Sequence, residues 1–314
     1  MDYFLLIVGF VLLIKGADYF VEGCASVAKK FNIPSMIIGL TIVAMGTSAP
    51  ETAVSVAAAI KGSNELAISN ISGSNMFNLM VVCGLCALML PLFIDKKTLK
   101  REFPFSIIVG ALLLVFAVTG REVGRIEGII LMVLFAGFLY YMVYSARKAM
   151  AAGEEVDVEV DEIKDISMMR CIFYILIGAV AIAGGGDLVV DSASNIALHF
   201  GLSQTLIGLT IVALGTSLPE LVTSLTAARK NELDMAIGNV VGSNIFNILL
   251  VIGVASAISP IGITTENIYD LVVMILMCLM VLILVISGEH KIDKKKGLLM
   301  LVVYIAYIVY TCIR

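Results

Sequence analysis

Two glutamates lie inside apolar stretches of the sequence, each directly after a proline. The segments are GTSAPE at 46–51 and GTSLPE at 215–220. If these stretches cross a membrane, a carboxylate there costs about 2.5–3.5 kcal/mol on the most lenient scale, so Glu51 and Glu220 are expected to serve a function. The hydroxyl, amide and carbonyl oxygens around them are hard ligands, which suit Na⁺ and Ca²⁺. The chemistry to expect is therefore the binding of hard cations.

Each proline removes a backbone donor and is expected to interrupt the helix around it. Because Pro50 and Pro219 have no N–H, the carbonyl four residues earlier loses its normal helical partner. A freed carbonyl in hydrocarbon is costly unless something occupies it, and a cation is the natural occupant. We expect the first half-helices to end at Ala44 and Ala213, with the negative ends of their dipoles at the breaks.

More oxygen-bearing side chains surround each break or lie on the next apolar segment, spaced so that they share one helix face. They are Thr47, Ser48, Ser74 and Asn78, and in the second half Thr216, Ser217, Ser243 and Asn247. Hydrogen bonding between helices explains a further group at least as well as cation binding does. That group consists of Asn70, Asn239, Ser55 and Ser224. Four acids nearer helix ends, Asp18, Glu22, Asp187 and Asp191, are expected to be interfacial or structural.

The composition of the chain indicates a membrane environment. Of its 314 residues, 60% are hydrophobic and only 15% are charged. Apolar stretches of about 20 residues, long enough to cross a bilayer core of roughly 30 Å, recur from end to end. We predict an all-α integral membrane protein, because backbone groups in lipid must be satisfied within their own segment. The ten predicted transmembrane helices are 3–28, 35–60, 65–90, 103–120, 126–147, 169–197, 204–229, 233–258, 268–288 and 297–313.

The basic residues indicate which loops face the cytoplasm. If the N-terminus lies outside, sixteen Lys and Arg residues fall on cytoplasmic loops and four on outer ones. This imbalance follows the positive-inside rule and agrees with ten spans. We therefore predict a multi-pass protein of the cell membrane with both termini outside. The acidic segment 149–167 is predicted to be a cytoplasmic linker.

The two halves of the sequence repeat each other at a constant offset of 169 residues. Residues 39–61 match 208–230 at 15 of 23 positions, and 67–78 match 236–247 at 8 of 12. Two ungapped matches in one register indicate a duplication.

Each half carries five predicted spans, so the second half must enter the membrane from the opposite side. We predict an N-terminal five-helix repeat at 1–148 and an inverted C-terminal repeat at 168–314, with broken helices 2 and 7 at the core. Inverted repeats with interrupted helices that meet near the midplane are typical of secondary transporters. The symmetry would place Glu51 and Glu220 near one another.

The paired G-T-S-x-P-E and G-S-N-x-F-N motifs, on a duplicated ten-span layout, resemble the cation/Ca²⁺ exchanger superfamily and specifically the prokaryotic sodium/calcium exchangers. The resemblance covers the whole chain. It implies an antiporter that works by alternating access, in which sodium enters down its gradient and calcium is extruded electrogenically. Na⁺ and Ca²⁺ would be the transported substrates, and the lipid bilayer the surroundings.

By this resemblance, the two glutamates bind calcium with the main-chain carbonyls of Thr47 and Thr216. The sodium sites would share the glutamates, and Asn78 and Asn247 would complete the centre. The resemblance assigns the other sodium ligands to Ala44, Thr47, Ser48, Ser74, Ala213, Thr216, Ser217 and Ser243.

The same residues are compatible with other functions. Glutamates can carry protons, which makes Ca²⁺/H⁺ exchange the second hypothesis, and a passive cation channel would need no mirrored pair of sites. One Ca²⁺ or two Na⁺ would neutralise two carboxylates, so the number of sodium ions is also open. An enzyme is not expected, because the sequence has no H-E-x-x-H or G-x-S-x-G motif. We expect no cofactor and no nucleic-acid partner, and the oligomeric state is open, a monomer included.

Overall fold

Helices make up nearly all of the computed structural model of the chain, which describes residues 1–61, 65–152, 166–201, 213–287 and 289–313. Within these ranges seven helices are long and apolar enough to cross a membrane, where Ala67–Met89 and Leu233–Ile258 each count as one continuous helix. One bent helix pair raises the number to eight. The prediction of an all-α membrane protein is confirmed to this extent. Ten spans and an inverted repeat stay predictions.

The helices of the first half lie close to their predicted limits. They are α1 (Asp2–Phe31), α2 (Ser35–Thr47), α3 (Ala49–Lys61), α4 (Glu65–Phe77), α5 (Cys83–Met89), α6 (Lys96–Lys100), α7 (Glu102–Gly120) and α8 (Arg125–Ala152). Helix α1 continues beyond its predicted end at residue 28, and it stops where Asn32 adopts left-handed backbone angles, φ 49° and ψ 43°. Asparagine tolerates that conformation better than most residues, which explains where the helix stops.

The second half contains the corresponding helices. They are α9 (Met168–His199), α10 (Ala213–Gly215), α11 (Leu218–Arg229), α12 (Leu233–Phe246), α13 (Gly253–Ile258), α14 (Thr265–Ile286) and α15 (Lys294–Ile313). Residues 204–212 of the predicted seventh helix and 153–165 of the predicted linker lie outside the described residues.

Both predicted helix breaks are present. Helices α2 and α3 are separated by a single residue and meet at a bend of 44°, and a two-residue turn separates α10 from α11. The expected end of the first half-helix at Ala44 is wrong, because α2 continues to Thr47. The Ser48 N–H still donates to the Ala44 carbonyl over 3.0 Å. The helix therefore forms one more hydrogen-bonded turn before the missing N–H of Pro50 interrupts it. Likewise α10 continues from Ala213 to Gly215.

The first of two compact units contains Met1–Pro50 and Val143–Asn239. In this unit α1 packs along α9 through glycines spaced seven residues apart on each helix. These are Gly9, Gly16 and Gly23 on α1, and Gly178 and Gly185 on α9. A Cβ atom at any of them would lie within 3.0 Å of a backbone atom of the other helix. The missing side chains therefore allow the two backbones to approach closely, as in many membrane helix pairs.

Two adjacent glycines of α9 offer a direct test of this close packing. A Cβ added at Gly185 would lie 2.8 Å from the Gly9 carbonyl oxygen, whereas one added at Gly184 would have no atom within 4 Å. We expect Gly185→Ala to destabilise the protein by about 1–3 kcal/mol through overpacking. Gly184→Ala should be neutral, or stabilising by up to about 1 kcal/mol through helix propensity. Thermal unfolding of the two purified variants distinguishes them, and equal melting temperatures would contradict the packing shown.

Ion pairs join α1 to the end of α11 within the same unit. Arg229 pairs with Asp18, and Lys230 Nζ lies 3.3 Å from Glu22 Oε2. Of the interfacial or structural roles expected for these two acids, the ion pairs favour the structural one. Their repeat counterparts on α9 are exposed.

The second compact unit contains Glu51–Met142 and Val240–Arg314. Four short strands lie between its helices: β1 (Leu92–Phe93), β2 (Glu122–Val123), β3 (Ile261–Gly262) and β4 (Lys291–Ile292). Strand β1 pairs with β4 and β2 with β3, both antiparallel, so each pair joins one strand from each half of the chain. Each compact unit therefore includes residues of both halves. The halves at 1–148 and 168–314 describe the sequence duplication and stay a prediction.

Candidate cation-binding site

Nearly every oxygen-bearing side chain predicted to bind a cation is inaccessible in the structure. The residues exposed by 1% or less are Thr47, Ser48, Glu51, Ser74, Asn78, Ser217, Glu220, Ser243 and Asn247. Thr216 is half-buried, and the side chain of Ala213 is not among those that the structure describes. Polar groups and especially carboxylates are costly to bury unless something compensates them, so this burial favours a function in binding.

In the first unit, Glu220 lies beside a residue from the other broken helix. Glu220 is the third residue of α11 and is completely buried. The Ser48 hydroxyl, at the break between α2 and α3, donates a hydrogen bond to Glu220 Oε1 over 3.0 Å. Hydrogen bonds to a carboxylate are stronger than those between neutral groups. Within this unit the structure thus brings the two breaks of the duplicated sequence together.

A chain of hydrogen bonds extends from the same breaks to α12. The Thr47 hydroxyl donates to Asn239 Oδ1 over 3.0 Å, and Asn239 Nδ2 donates to Ser224 Oγ over 2.9 Å. The bonds connecting helices that the sequence suggested for Asn239 and Ser224 are confirmed. They hold in place Thr47, whose main-chain carbonyl is predicted to bind calcium.

Ser217 lies at the start of α11, where a serine usually caps the helix with its hydroxyl. Here its side chain makes no capping hydrogen bond, and among the described residues Oγ has no hydrogen-bond partner. One reason is that Pro219, two residues later, has no N–H to offer. The buried hydroxyl is therefore available to bind a cation.

In the second unit, three predicted ligands of the first half are also buried, namely Glu51, Ser74 and Asn78. Glu51 is the third residue of α3. Ser74 and Asn78 follow one another by one helical turn, and neither Ser74 Oγ nor the Asn78 amide hydrogen-bonds to any part of the chain that the structure describes. Buried polar atoms normally have a partner, so these call for a ligand or water. The predicted proximity of Glu51 and Glu220 stays a prediction, since each belongs to a different unit.

Two of the predicted ligands mark a change in backbone geometry that the sequence did not suggest. A π-helical turn begins at Asn78 and runs to Val82, and another begins at Asn247 and runs to Ile252. These asparagines are related by the 169-residue offset. Such turns inside α-helices frequently occur at functional sites. The sequence indicated the two asparagines through their helical spacing and their recurrence in the repeat, but it did not predict the turns.

Sequence reasoning also missed Asn75 and Asn244, which belong to the two G-S-N-x-F-N motifs. Asn75 Nδ2 donates to the Asn244 carbonyl, and Asn244 Nδ2 donates to the Asn75 carbonyl, each over 3.1 Å. Asn247 Nδ2 donates to Asn75 Oδ1, also over 3.1 Å. The motifs therefore hold α4 and α12 together, in addition to the ligand role predicted for some of their residues.

The fold and these side chains define a polytopic helical membrane protein with carboxylate, hydroxyl and amide oxygens buried in its interior. The family model described as sodium/calcium exchanger protein matches residues 1–144 and 171–313, which is most of the chain. The chain therefore belongs to the sodium/calcium exchanger family, a family of transporters, and the family predicted from the paired motifs is confirmed.

Relatives and solved structures agree with this membership. The inner membrane protein YrbG of Escherichia coli is 36% identical, over 82% of this chain and 79% of its own length. The sodium/calcium exchanger MaX1 of Methanosarcina acetivorans is 29% identical, over 98% of each chain. A structure of the sodium-calcium exchanger NCX_Mj matches with a TM-score of 0.84 and 30% identity, over 98% of both chains.

Proposed function

We propose that the protein is a secondary antiporter that exchanges Na⁺ for Ca²⁺ by alternating access, with sodium entry driving electrogenic calcium extrusion. The observation that carries this proposal is the completely buried Glu220 carboxylate. It accepts a hydrogen bond from Ser48, which lies at the helix break in the other half of the chain. The charge of a buried carboxylate must be compensated by a cation. If different cations can compensate it in turn, the site meets the physical requirement for exchange.

We further propose that Glu51 and Glu220 bind one Ca²⁺ together, with the carbonyls of Thr47 and Thr216. Sodium would use the same carboxylates in the alternate step, so that the two ions compete. Asn78 and Asn247 complete the centre. The proposed additional sodium ligands are Ala44, Ser48, Ser74, Ala213, Ser217 and Ser243. The burial of these side chains, where the structure describes it, supports the assignment.

For the membrane arrangement we propose ten spans in two inverted repeats, with both termini outside and the segment 149–167 in the cytoplasm. Helix α15, with 20 residues, is long enough for the tenth span. The seventh span would consist of α10, α11 and the residues before them. The distribution of basic residues supports the orientation.

Flux measurements in reconstituted vesicles test the function. Vesicles loaded with Na⁺ and diluted into sodium-free medium are expected to accumulate labelled Ca²⁺ at constant pH, with the voltage clamped by an ionophore. Vesicles loaded with K⁺ instead should not. Calcium uptake that is the same with both internal cations would reject sodium coupling.

The same vesicles separate the competing functions. Uptake driven by a pH gradient alone, without sodium, would favour Ca²⁺/H⁺ exchange. Calcium entry without any counter-ion gradient would indicate a passive channel. Neither is expected of a sodium-coupled antiporter.

A further inference from the structure

The amide of Asn247 has only one orientation that satisfies its neighbours, and Asn75 imposes it. Asn75 Nδ2 donates to the Asn244 main-chain carbonyl, which can only accept, so Asn75 must turn its own Oδ1 toward Asn247. Asn247 therefore has to present Nδ2, which donates to Asn75 Oδ1 over 3.1 Å. The reversed amide would bring two oxygen acceptors together.

This orientation leaves the carbonyl oxygen of Asn247 as the atom available to a ligand. Asn247 is completely buried, and its Oδ1 forms no hydrogen bond within the described residues. A hard cation requires oxygen and is repelled by an amide NH₂ group. An amide that could turn freely would offer the wrong atom for part of the time.

The repeat does not reproduce this arrangement on the other side. By the 169-residue offset, Asn78 should donate to Asn244 Oδ1 as Asn247 donates to Asn75. In the part of the chain that the structure describes, neither the Asn78 amide nor Asn244 Oδ1 has a hydrogen-bond partner. The two halves are therefore unequal, with Asn247 held in place and Asn78 without a corresponding bond.

We propose that Asn75 is a positioning residue that fixes the amide of Asn247 with its oxygen available to calcium, whereas its repeat counterpart Asn244 has no such role. The proposal rests on the proposed function, which makes Asn247 part of the cation site. It deepens that function by explaining how a neutral amide becomes a dependable oxygen ligand. Partners of this kind, which orient a ligand without touching the ion, often matter for affinity almost as much as the ligand.

Asn75→Ala and Asn244→Ala form a matched pair for testing this role. Each removes one hydrogen bond from a side-chain amide to a main-chain carbonyl between α4 and α12, and only Asn75→Ala also releases Asn247. We expect the calcium dissociation constant, measured by titration calorimetry on purified protein, to rise about tenfold or more in Asn75→Ala. It should change less than about threefold in Asn244→Ala, since only a structural bond is lost.

A double variant shows whether Asn75 acts through Asn247. If it does, Asn75→Ala in an Asn247→Ala background should weaken calcium binding no further. Equal losses in the matched pair, or additive losses in the double variant, would overturn the proposal. If the alanine variants fail to fold, Asn75→Ser and Asn244→Ser carry the same comparison.

Binding and flux together separate this inference from the function on which it rests. Wild-type protein that binds calcium but shows no sodium-driven uptake would reject the exchange function. The binding constants of the matched pair would still decide the role of Asn75.

Discussion

Replacing Glu51 or Glu220 by glutamine is expected to lower sodium-driven calcium uptake about a hundredfold or more. Glutamine keeps the volume of the side chain and an oxygen that can accept the bond from Ser48, but it removes the charge. Two unit charges about 4 Å apart attract by roughly 4 kcal/mol at an effective dielectric constant of about 20, and each 1.4 kcal/mol is about tenfold in affinity. A divalent ion loses more of this electrostatic attraction than a monovalent ion does.

The control is the same substitution at a glutamate outside the site. The Glu289 side chain is 82% exposed and pairs with Lys291 at the surface, a kind of pair that contributes little to stability. Glu289→Gln should transport calcium as wild type does, and all variants should elute as folded protein on size exclusion. An active double variant, Glu51→Gln with Glu220→Gln, would refute the assignment of the site.

Removal of both cations is expected to have the second largest effect, on stability. A ligand that binds only the folded state stabilises it by about 2.7 kcal/mol at a concentration about 100 times its dissociation constant. Calcium at that concentration should therefore raise the melting temperature by roughly 5–10 °C over protein in chelator and potassium. A bound cation also compensates the buried carboxylates, which otherwise remain costly.

Thermal unfolding in detergent, followed by intrinsic tyrosine fluorescence, measures this shift. Sodium at saturating concentration should stabilise as well, because it uses the same carboxylates, whereas potassium should not. The double glutamine variant should lose the response to calcium. A melting temperature unaffected by calcium in the wild type, or an equal rise in the double variant, would show that the glutamates are not the ligands.

Much of the fold and of the candidate site could be predicted from the sequence, because the strongest signals in the sequence are local or repeated. The long apolar stretches identify the spans. The free-energy cost of a carboxylate in the membrane then singles out Glu51 and Glu220. The prolines at 50 and 219 locate the helix breaks within a few residues. The repeat offset then indicates that each candidate site residue in one half has a counterpart in the other half.

What could not be predicted depends on how separate segments meet. The reciprocal bonds of Asn75 and Asn244 require a crossing of α4 and α12 that no local pattern encodes. The duplicated sequence also suggests equal halves, yet among the described residues Asn247 donates to Asn75 whereas Asn78 makes no corresponding bond to Asn244. The glycine spacing along α1 and α9 was visible in the sequence, but its meaning became clear only from the backbone of the facing helix.

Equilibrium binding of calcium in competition with sodium tests the central claim most directly. Purified wild-type protein is expected to bind one Ca²⁺ per chain and to release all of it as Na⁺ is added, while equal additions of K⁺ leave it bound. Calcium that stays bound at saturating sodium would contradict the claim that the two ions take turns on the same buried carboxylates.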